Sequence, residues 1–241
     1  MIARVLWAGV IAGLIAGAVA TAVQLTRLVP LIEIAEEYES AAIHEHHDHG
    51  ATVDPLASAA HDPAAHEDEW EPEGLLRPAF TAGANALTGV AYGLLLVAGM
   101  TLAGRRTDTR VGLLWGLAGF VVFAAAPALG LPPELPGMAA AELGARQAWW
   151  IGTAAATALG IVGLAFGPPK LKALGVLLLL APHIVGAPHV EGAAESAGVP
   201  GEIAARFVAA SLMSGLLFWL ALGAAAGHLL GRGSARTVTQ N

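Results

Sequence analysis

VLWAGVIAGLIAGAVATAVQLTRL, residues 5–28, decides the fold. The stretch carries one charge, Arg27, close to its end. About 20 consecutive apolar residues cross the hydrocarbon of a bilayer, and lipid offers a backbone no hydrogen-bond partner but itself, so the run reads as a transmembrane helix. Five further apolar runs lie beyond it, at Ala79–Ala103, Val111–Leu131, Ala148–Phe166, Leu171–Ala187 and Phe207–Leu230. The run at Leu171–Ala187 is the shortest, carries Pro182 and is followed by Pro188, which leaves open a broken or re-entrant segment and a five-span count.

Charge decides between five and six. With six spans and the N-terminus inside, the inner segments hold Arg4, Arg105, Arg106, Arg110, Lys170, Lys172, Arg232 and Arg236, and the outer side keeps Arg27, Arg77, Arg146 and Arg206. Of the acidic residues only Asp108 falls inside. Lys and Arg concentrate in short cytoplasmic loops, so eight against four favours an all-α, six-helix bundle with both termini in the cytoplasm of a bacterial-type cell, set in its inner membrane.

Composition agrees. The chain has 241 residues, 56% apolar and 13% charged, against about 25% charged in a soluble domain. Thirty glycines suit helices that pack closely in lipid. No cysteine is present, which excludes disulfides and thiolate metal sites and leaves imidazole, carboxylate, backbone oxygen and water as ligands. With a net charge of −7, no nucleic-acid partner is expected.

Arg4, the apolar stretch and the triplet Ala18-Val19-Ala20 also resemble a secretory signal with its cleavage site. The apolar stretch runs on to Leu28, beyond the usual core of about 7–15 residues, so a retained helix is expected. The chain then divides into helix 1 (1–31), an outer His/Asp/Glu-rich loop (32–78), a five-helix bundle (79–231) and a cytoplasmic tail (232–241). Ile32–Glu39 can continue helix 1 beyond the bilayer surface. The stretch after Glu39 is rich in His, Asp, Ala and Pro without periodicity and reads as loop.

Three places could hold a metal. Six of the nine histidines crowd into the loop, where His44, Glu45, His46, His47, Asp48 and His49 are followed by His61, His66, Glu67, Asp68 and Glu69. Imidazole nitrogens and carboxylate oxygens suit borderline divalent ions, and a loose arrangement captures and releases them; the plainer alternative is a solvated acidic loop. The second place is Pro182–Glu191, with His183, His189 and Glu191 around Gly186 and two prolines. Proline frees a carbonyl in the preceding turn, and broken helices often build transporter ion sites. Wet histidines at a helix end are the alternative. The third is the outward end of helix 3, with Glu134 after Pro132 and Pro133, then Met138 and Glu142; Gln24, Glu33 and Glu36 of the first helix could complete a site there with His183, and taken alone Glu134 reads as a rim carboxylate. Asn85, within the second span, is expected to find a partner on another helix. Trp70, Trp149, Trp150 and Trp219 read as interface anchors, and His228 as a cation favoured at a helix C-terminus.

The residues together resemble the CbtA family of predicted cobalt transporter subunits. The resemblance covers almost the whole chain. It rests on the first helix with Gln24 leading into Ile32–Glu39, and on Trp70-Glu71-Pro72-Glu73-Gly74-Leu75-Leu76-Arg77 closing the His-rich loop. Gly130-Leu131-Pro132-Pro133-Glu134-Leu135-Pro136-Gly137, Arg146-Gln147-Ala148-Trp149-Trp150 and Pro182–His189 complete it. What the resemblance implies is uptake of cobalt, linked to cobalamin synthesis, with a small single-span CbtB-type partner. The family pattern has about five spans, one fewer than the charge distribution favours.

Rival functions are an accessory membrane protein that binds metal without transporting it, a membrane enzyme and a haem carrier. Ser214 and His228 are fourteen positions apart on one helix, about 21 Å, too far for a nucleophile and its base. Haem would need axial histidines inside the bundle, where only His183, His189 and His228 come near spans and at different heights. No G-x-x-x-x-G-K-[ST] motif occurs, so energy must come from a gradient, a partner or the membrane potential. The expected cargo is Co²⁺, with Ni²⁺ its nearest competitor; no permanently bound cofactor is expected, and a homo-oligomer is compatible with the pattern.

Overall fold

A computed structural model describes residues 2–48, 74–189 and 199–238, and the side chains of 2–40, 74–189 and 199–232. Every regular element among the described residues is helical. Helix α1 (Ile2–Val23) passes through a π-helical turn, Gln24–Leu28, into α2 (Val29–Asp48). Helix α3 spans Leu76–Leu102, and α4 (Thr109–Phe120) passes through a second π turn, Val121–Ala125, into the short α5 (Ala126–Ala128). Helices α6 (Leu143–Phe166), α7 (Pro169–Val185) and α8 (Gly201–Val238) complete the chain order.

The starts and stops are local chemistry. Asp108 caps α4, its carboxylate accepting from the Val111 N–H at 2.9 Å. Glu142 caps α6, accepting from Gly144 and Ala145 N–H at 2.7 Å each. Those two backbone donors hold the Glu142 carboxyl below its ordinary range. Helix α7 begins with Pro169 in its first turn and ends at Gly186, whose φ of 84° is open to glycine and costly for other residues.

Each π turn ends two residues before a proline: Val29 and Pro30 come after the first, Ala126 and Pro127 after the second. Proline has no N–H for the carbonyl four residues back and its ring presses on that carbonyl. The ladder therefore slips by one residue, and Val29 N–H donates to the Gln24 carbonyl, Ala126 N–H to that of Val121. One cause thus produces both interruptions.

Helices pair through glycine. Gly9, Gly13 and Gly17 of α1 lie directly on the backbone of α3 at Asn85, Gly89 and Gly93. Gly112 and Gly116 of α4 meet Trp219, Gly223 and Gly227 of α8, and Gly160 of α6 meets Gly175 of α7. Alanines 8, 12, 16 and 20 of α1 join the first two pairs in a core with Phe218, Leu222 and Ala226 of α8. Large apolar side chains point outward, as Leu87 (75% exposed), Leu114 (67%) and Leu177 (63%) do, the pattern of a surface meant for lipid.

All helices run between two ends of opposite charge. At the basic end Arg4 reaches the Leu230 carbonyl, Gly227 lies on Asp108, and Arg105 stands over Phe166. At the acidic end Arg77 pairs with Glu36, Glu39 packs on Gly137, and Leu135 is buried with Ala35, Val199 and Phe207.

Among the described residues five helices are long and apolar enough to cross a membrane: Ile2–Ser40, Leu76–Leu102, Thr109–Ala128, Leu143–Phe166 and Gly201–Arg232. The expected sixth span, Leu171–Ala187, forms the 17-residue α7. The prolines that start it and the Pro182–Gly186 break that ends it hold it to about 25 Å of rise. It nevertheless doubles back along α6 from Phe166 to the level of Trp149, whose ring lies 6.3 Å from that of His183. Helical backbone also continues through Asp48, so the expected loop starts later than its sequence suggests and four of its candidate ligands, His44, His46, His47 and Asp48, belong to α2.

Added side-chain volume at a glycine crossing has nowhere to go. Gly112→Leu is expected to destabilise the detergent-solubilised protein by at least the ~1–3 kcal/mol typical of an overpacked core. Gly152→Ala, whose added Cβ meets nothing within 4 Å, leaves the thermal melt unchanged or slightly raised. Equal melts for the two variants would contradict glycine-mediated packing.

Candidate functional site

Both π turns open onto one cavity whose largely apolar wall carries several polar groups. It has a volume of about 300 Å³, lies between α1, α3 and α8, and is open on one side, where Thr88 is exposed. Gln24 enters it from the first π turn and Phe123 from the second; Asn85, Thr88, Tyr92, Ser211 and Ser214 add further polar groups to its wall. Asn85 is fixed by two bonds, its Nδ2 donating to Thr21 Oγ1 at 3.1 Å and to Gln24 Oε1 at 2.8 Å. Both amide hydrogens are thereby used, and its carbonyl oxygen makes no hydrogen bond among the described residues. Ser214 is 4% exposed. Polar groups at this depth are costly in lipid and are kept where they satisfy one another or meet water or an ion.

A wider vestibule of about 670 Å³ opens at the acidic end, lined among others by Pro132, Pro133, Glu134, Arg146, Gln147 and Trp150. Glu134 and Arg146 pair across it at 2.6 Å, both less than a third exposed. The pairing joins the segment after α5 to the first turn of α6, and removing either partner would leave a partly buried charge uncompensated. Vestibule and cavity share two lining residues, Phe123 and Ser211. Phe123 stacks on Trp219 with centroids 5.5 Å apart and planes at 5°, and meets Tyr92 at 5.1 Å and Trp150 at 6.2 Å. Toward the basic end the cluster continues into a dry core of Val97, Met100, Leu222, Ala226 and Leu230. The arrangement is a vestibule spanned by the Glu134–Arg146 pair and a smaller cavity with neutral polar groups in its wall, with Phe123 lining both.

Such a chamber has a definite chemistry. Amide, hydroxyl and phenol oxygens replace part of a cation's hydration without matching its charge, so they hold it weakly enough for it to leave.

The residues singled out in the sequence are distributed differently. His183 is half-buried at the last turn of α7, edge-on to Trp149. His189 is exposed, with Nδ1 3.1 Å from the Ala187 carbonyl. Glu134 faces Arg146 and no histidine. His49 and Glu191 lie outside the described residues, as do the side chains of His44, His46, His47 and Asp48. No three of His, Asp and Glu gather as a metal site among the described residues. Helix α7 packs along α6 at the edge of the bundle, and only its Gly175 is buried. Gln24 and Asn85 were visible in the sequence as polar residues inside apolar runs; their meeting joins the first π turn to α3 and is a matter of tertiary packing.

The absence of cysteine makes this geometry directly measurable. Ser214→Cys is expected to react with a small hydrophilic thiol reagent at least tenfold faster than Leu222→Cys, which lies two turns farther toward the basic end in the dry core. Equal rates would mean that the cavity holds no water.

No curated protein and no solved structure matches the chain. A family model does, over residues 2–231, that of CbtA, described as "Probable cobalt transporter subunit". With that match over nearly its whole length, the chain belongs to the CbtA family.

Proposed function

We propose that this chain is the subunit through which cobalt enters the cell, with the ion passing from the acidic end through the Gln24–Asn85 chamber. The observation that carries the reading is the cavity, with polar groups in its wall, that two proline-linked π turns face in a bundle otherwise packed through glycine and alanine. The acidic end concentrates cations before entry. Beyond it, His44, His46, His47, Asp48 and His49, with the later histidines of the same region, capture scarce metal and release it toward the vestibule.

In this reading α7 is a sixth span. The basic end, with Arg105, Arg106, Arg110, Lys170 and Lys172, then faces the cytoplasm of a cell bounded by an inner membrane. An inside-negative potential favours entry of a divalent ion by about 4.6 kcal/mol per 100 mV, twice the value for a single charge. Imidazole and carboxylate ligands alone favour nickel over cobalt, so selection for cobalt comes from geometry. A small single-span CbtB-type subunit, or a second copy of the chain, completes the assembly.

A second route is supported by one observation on α6. Trp149 Nε1, Thr153 Oγ1 and Thr157 Oγ1 are buried without hydrogen-bond partners, one turn apart. They lie on the helix along which α7 runs, where Pro182 deprives the Leu178 carbonyl of its donor and His183, with His189 and Glu191 beyond it, stands at the outer end. This seam would be the path along the broken helix, its open side closed by the partner.

Cellular cobalt and nickel, measured by elemental analysis in an uptake-deficient host, separates the routes. The intact chain is expected to accumulate cobalt, and Asn85→Leu to lower maximal accumulation at least tenfold while His183→Ala retains most of it. Deleting residues 43–69 lowers accumulation at scarce metal and spares it at plentiful metal. Loss in His183→Ala with Asn85→Leu unaffected would move the path to the α6–α7 seam. No accumulation by correctly inserted protein, alone or with its partner subunit, would leave an accessory metal-binding role.

A further inference from the structure

A third cavity lies at the basic end and has no place in an ion's path. It is a groove of about 600 Å³ with an almost wholly apolar lining, including Leu95 and Gly99 of α3, Trp115 of α4, and Ala158, Val162 and Phe166 of α6. An ion gains nothing from such walls, whereas hydrocarbon does. The groove runs along α3 from Leu95 to its C-cap Ala103 and along α6 from Ala158 to Phe166, eight residue steps on each. At 1.5 Å per residue that is about 12 Å, close to the ~15 Å hydrocarbon depth of one leaflet.

The end of the groove is marked by charge. Phe166 is its last wall residue on α6, and the guanidinium carbon of Arg105 stands 4.8 Å above the centre of that ring. The contact draws the cation over the groove mouth through the ring's negative face and leaves the edge of the guanidinium free to donate. Arg106 belongs to the same α3–α4 connection and Arg110 to the first turn of α4, and Lys170 and Lys172 come after Phe166 across the turn into α7. None of these five cations forms an ion pair among the described residues; the ion pairs found there all lie at the acidic end. Among the described residues the carboxylate nearby, Asp108, is engaged by the Val111 N–H as the cap of α4.

We propose that this groove is a binding site for an anionic phospholipid, one acyl chain lying between α3 and α6 and the headgroup phosphate held at Arg105 with its neighbouring cations. The juxtaposition of a leaflet-deep apolar slot with a cation fixed on its rim fits a molecule that is apolar below and phosphate-bearing at the interface. Bound there, the lipid would link α6 to α3 and α4, between which the groove lies open, and so brace the α6–α7 pair.

The test uses the full-length purified chain in neutral detergent, with native mass spectrometry and thermal melts as readouts. Phosphatidylglycerol is expected to bind and raise the melting temperature. Phosphatidylcholine with the same acyl chains, and glycerophosphoglycerol without chains, are expected to bind at least tenfold more weakly. Arg105→Ala should weaken phosphatidylglycerol binding about fivefold, the effect of one interfacial cation, and Arg232→Ala, at the same end and away from the groove, should not. Ala158→Phe, which fills the slot, should abolish binding in protein that remains monodisperse. Equal binding of the two lipids, binding of the free headgroup, equal losses in Arg105→Ala and Arg232→Ala, or retained binding in Ala158→Phe would each overturn the proposal. So would displacement of phosphatidylglycerol by a single-span partner helix, which would identify the groove as a subunit interface.

Discussion

The constraint on which everything else rests is that a backbone in lipid has no water to bond with. Each N–H and C=O must find its partner in the chain, which forces helices and makes every interruption conspicuous. Packing those helices then depends on small residues, because apolar side chains gain little by leaving lipid for one another. The glycine faces of α1 and α3, of α4 and α8, and of α6 and α7 meet that requirement by bringing backbone onto backbone. Against this tightly closed background, the two π turns before Pro30 and Pro127 face one cavity that has amide, hydroxyl and phenol groups in its wall. Prolines in the interior of two spans would be a liability without the slipped hydrogen bonds that restore the ladder, and the slip is what turns Gln24 and Phe123 toward one cavity.

Much of this fold could be read from the sequence, and for a physical reason. Hydropathy reports directly on where a helix meets lipid, so five of the six apolar runs reappear as helices long enough to span, extended by a few residues where caps such as Glu142 lie outside the apolar core. The sixth run shows the limit of that signal. Its prolines truncate α7 to a length at which composition alone does not distinguish a crossing from an edge helix, and its position alongside α6 is a matter of tertiary packing that hydropathy does not encode.

The site was less legible because a ligand set is a matter of who faces whom. Histidine and carboxylate types drew attention to His183 and Glu134, yet Glu134 is held by Arg146 and His183 rests against Trp149. Gln24 and Asn85 are neutral and look like packing residues one at a time; only the 2.8 Å bond between α3 and the first π turn makes them a unit. In the proposed reading the division has a functional sense. The imidazole and carboxylate groups of residues 43–69 suit capture from dilute solution, where strong ligands help. Neutral oxygens within suit passage, where a strong ligand would trap the ion. Phe123, which with Ser211 lines both the vestibule and the chamber, is stacked on Trp219 where the two adjoin.

In the proposed reading this chain itself contains the passage, closed at Phe123. The most direct test is cobalt influx into proteoliposomes bearing the purified chain, read by an entrapped metal-quenched dye under an imposed inside-negative potential. Folded intact protein is predicted to admit cobalt in proportion to the potential, and Phe123→Ala of equal folded content to admit it severalfold faster. A folded intact chain that admits none, or a Phe123→Ala variant no faster than the intact chain, would contradict the account.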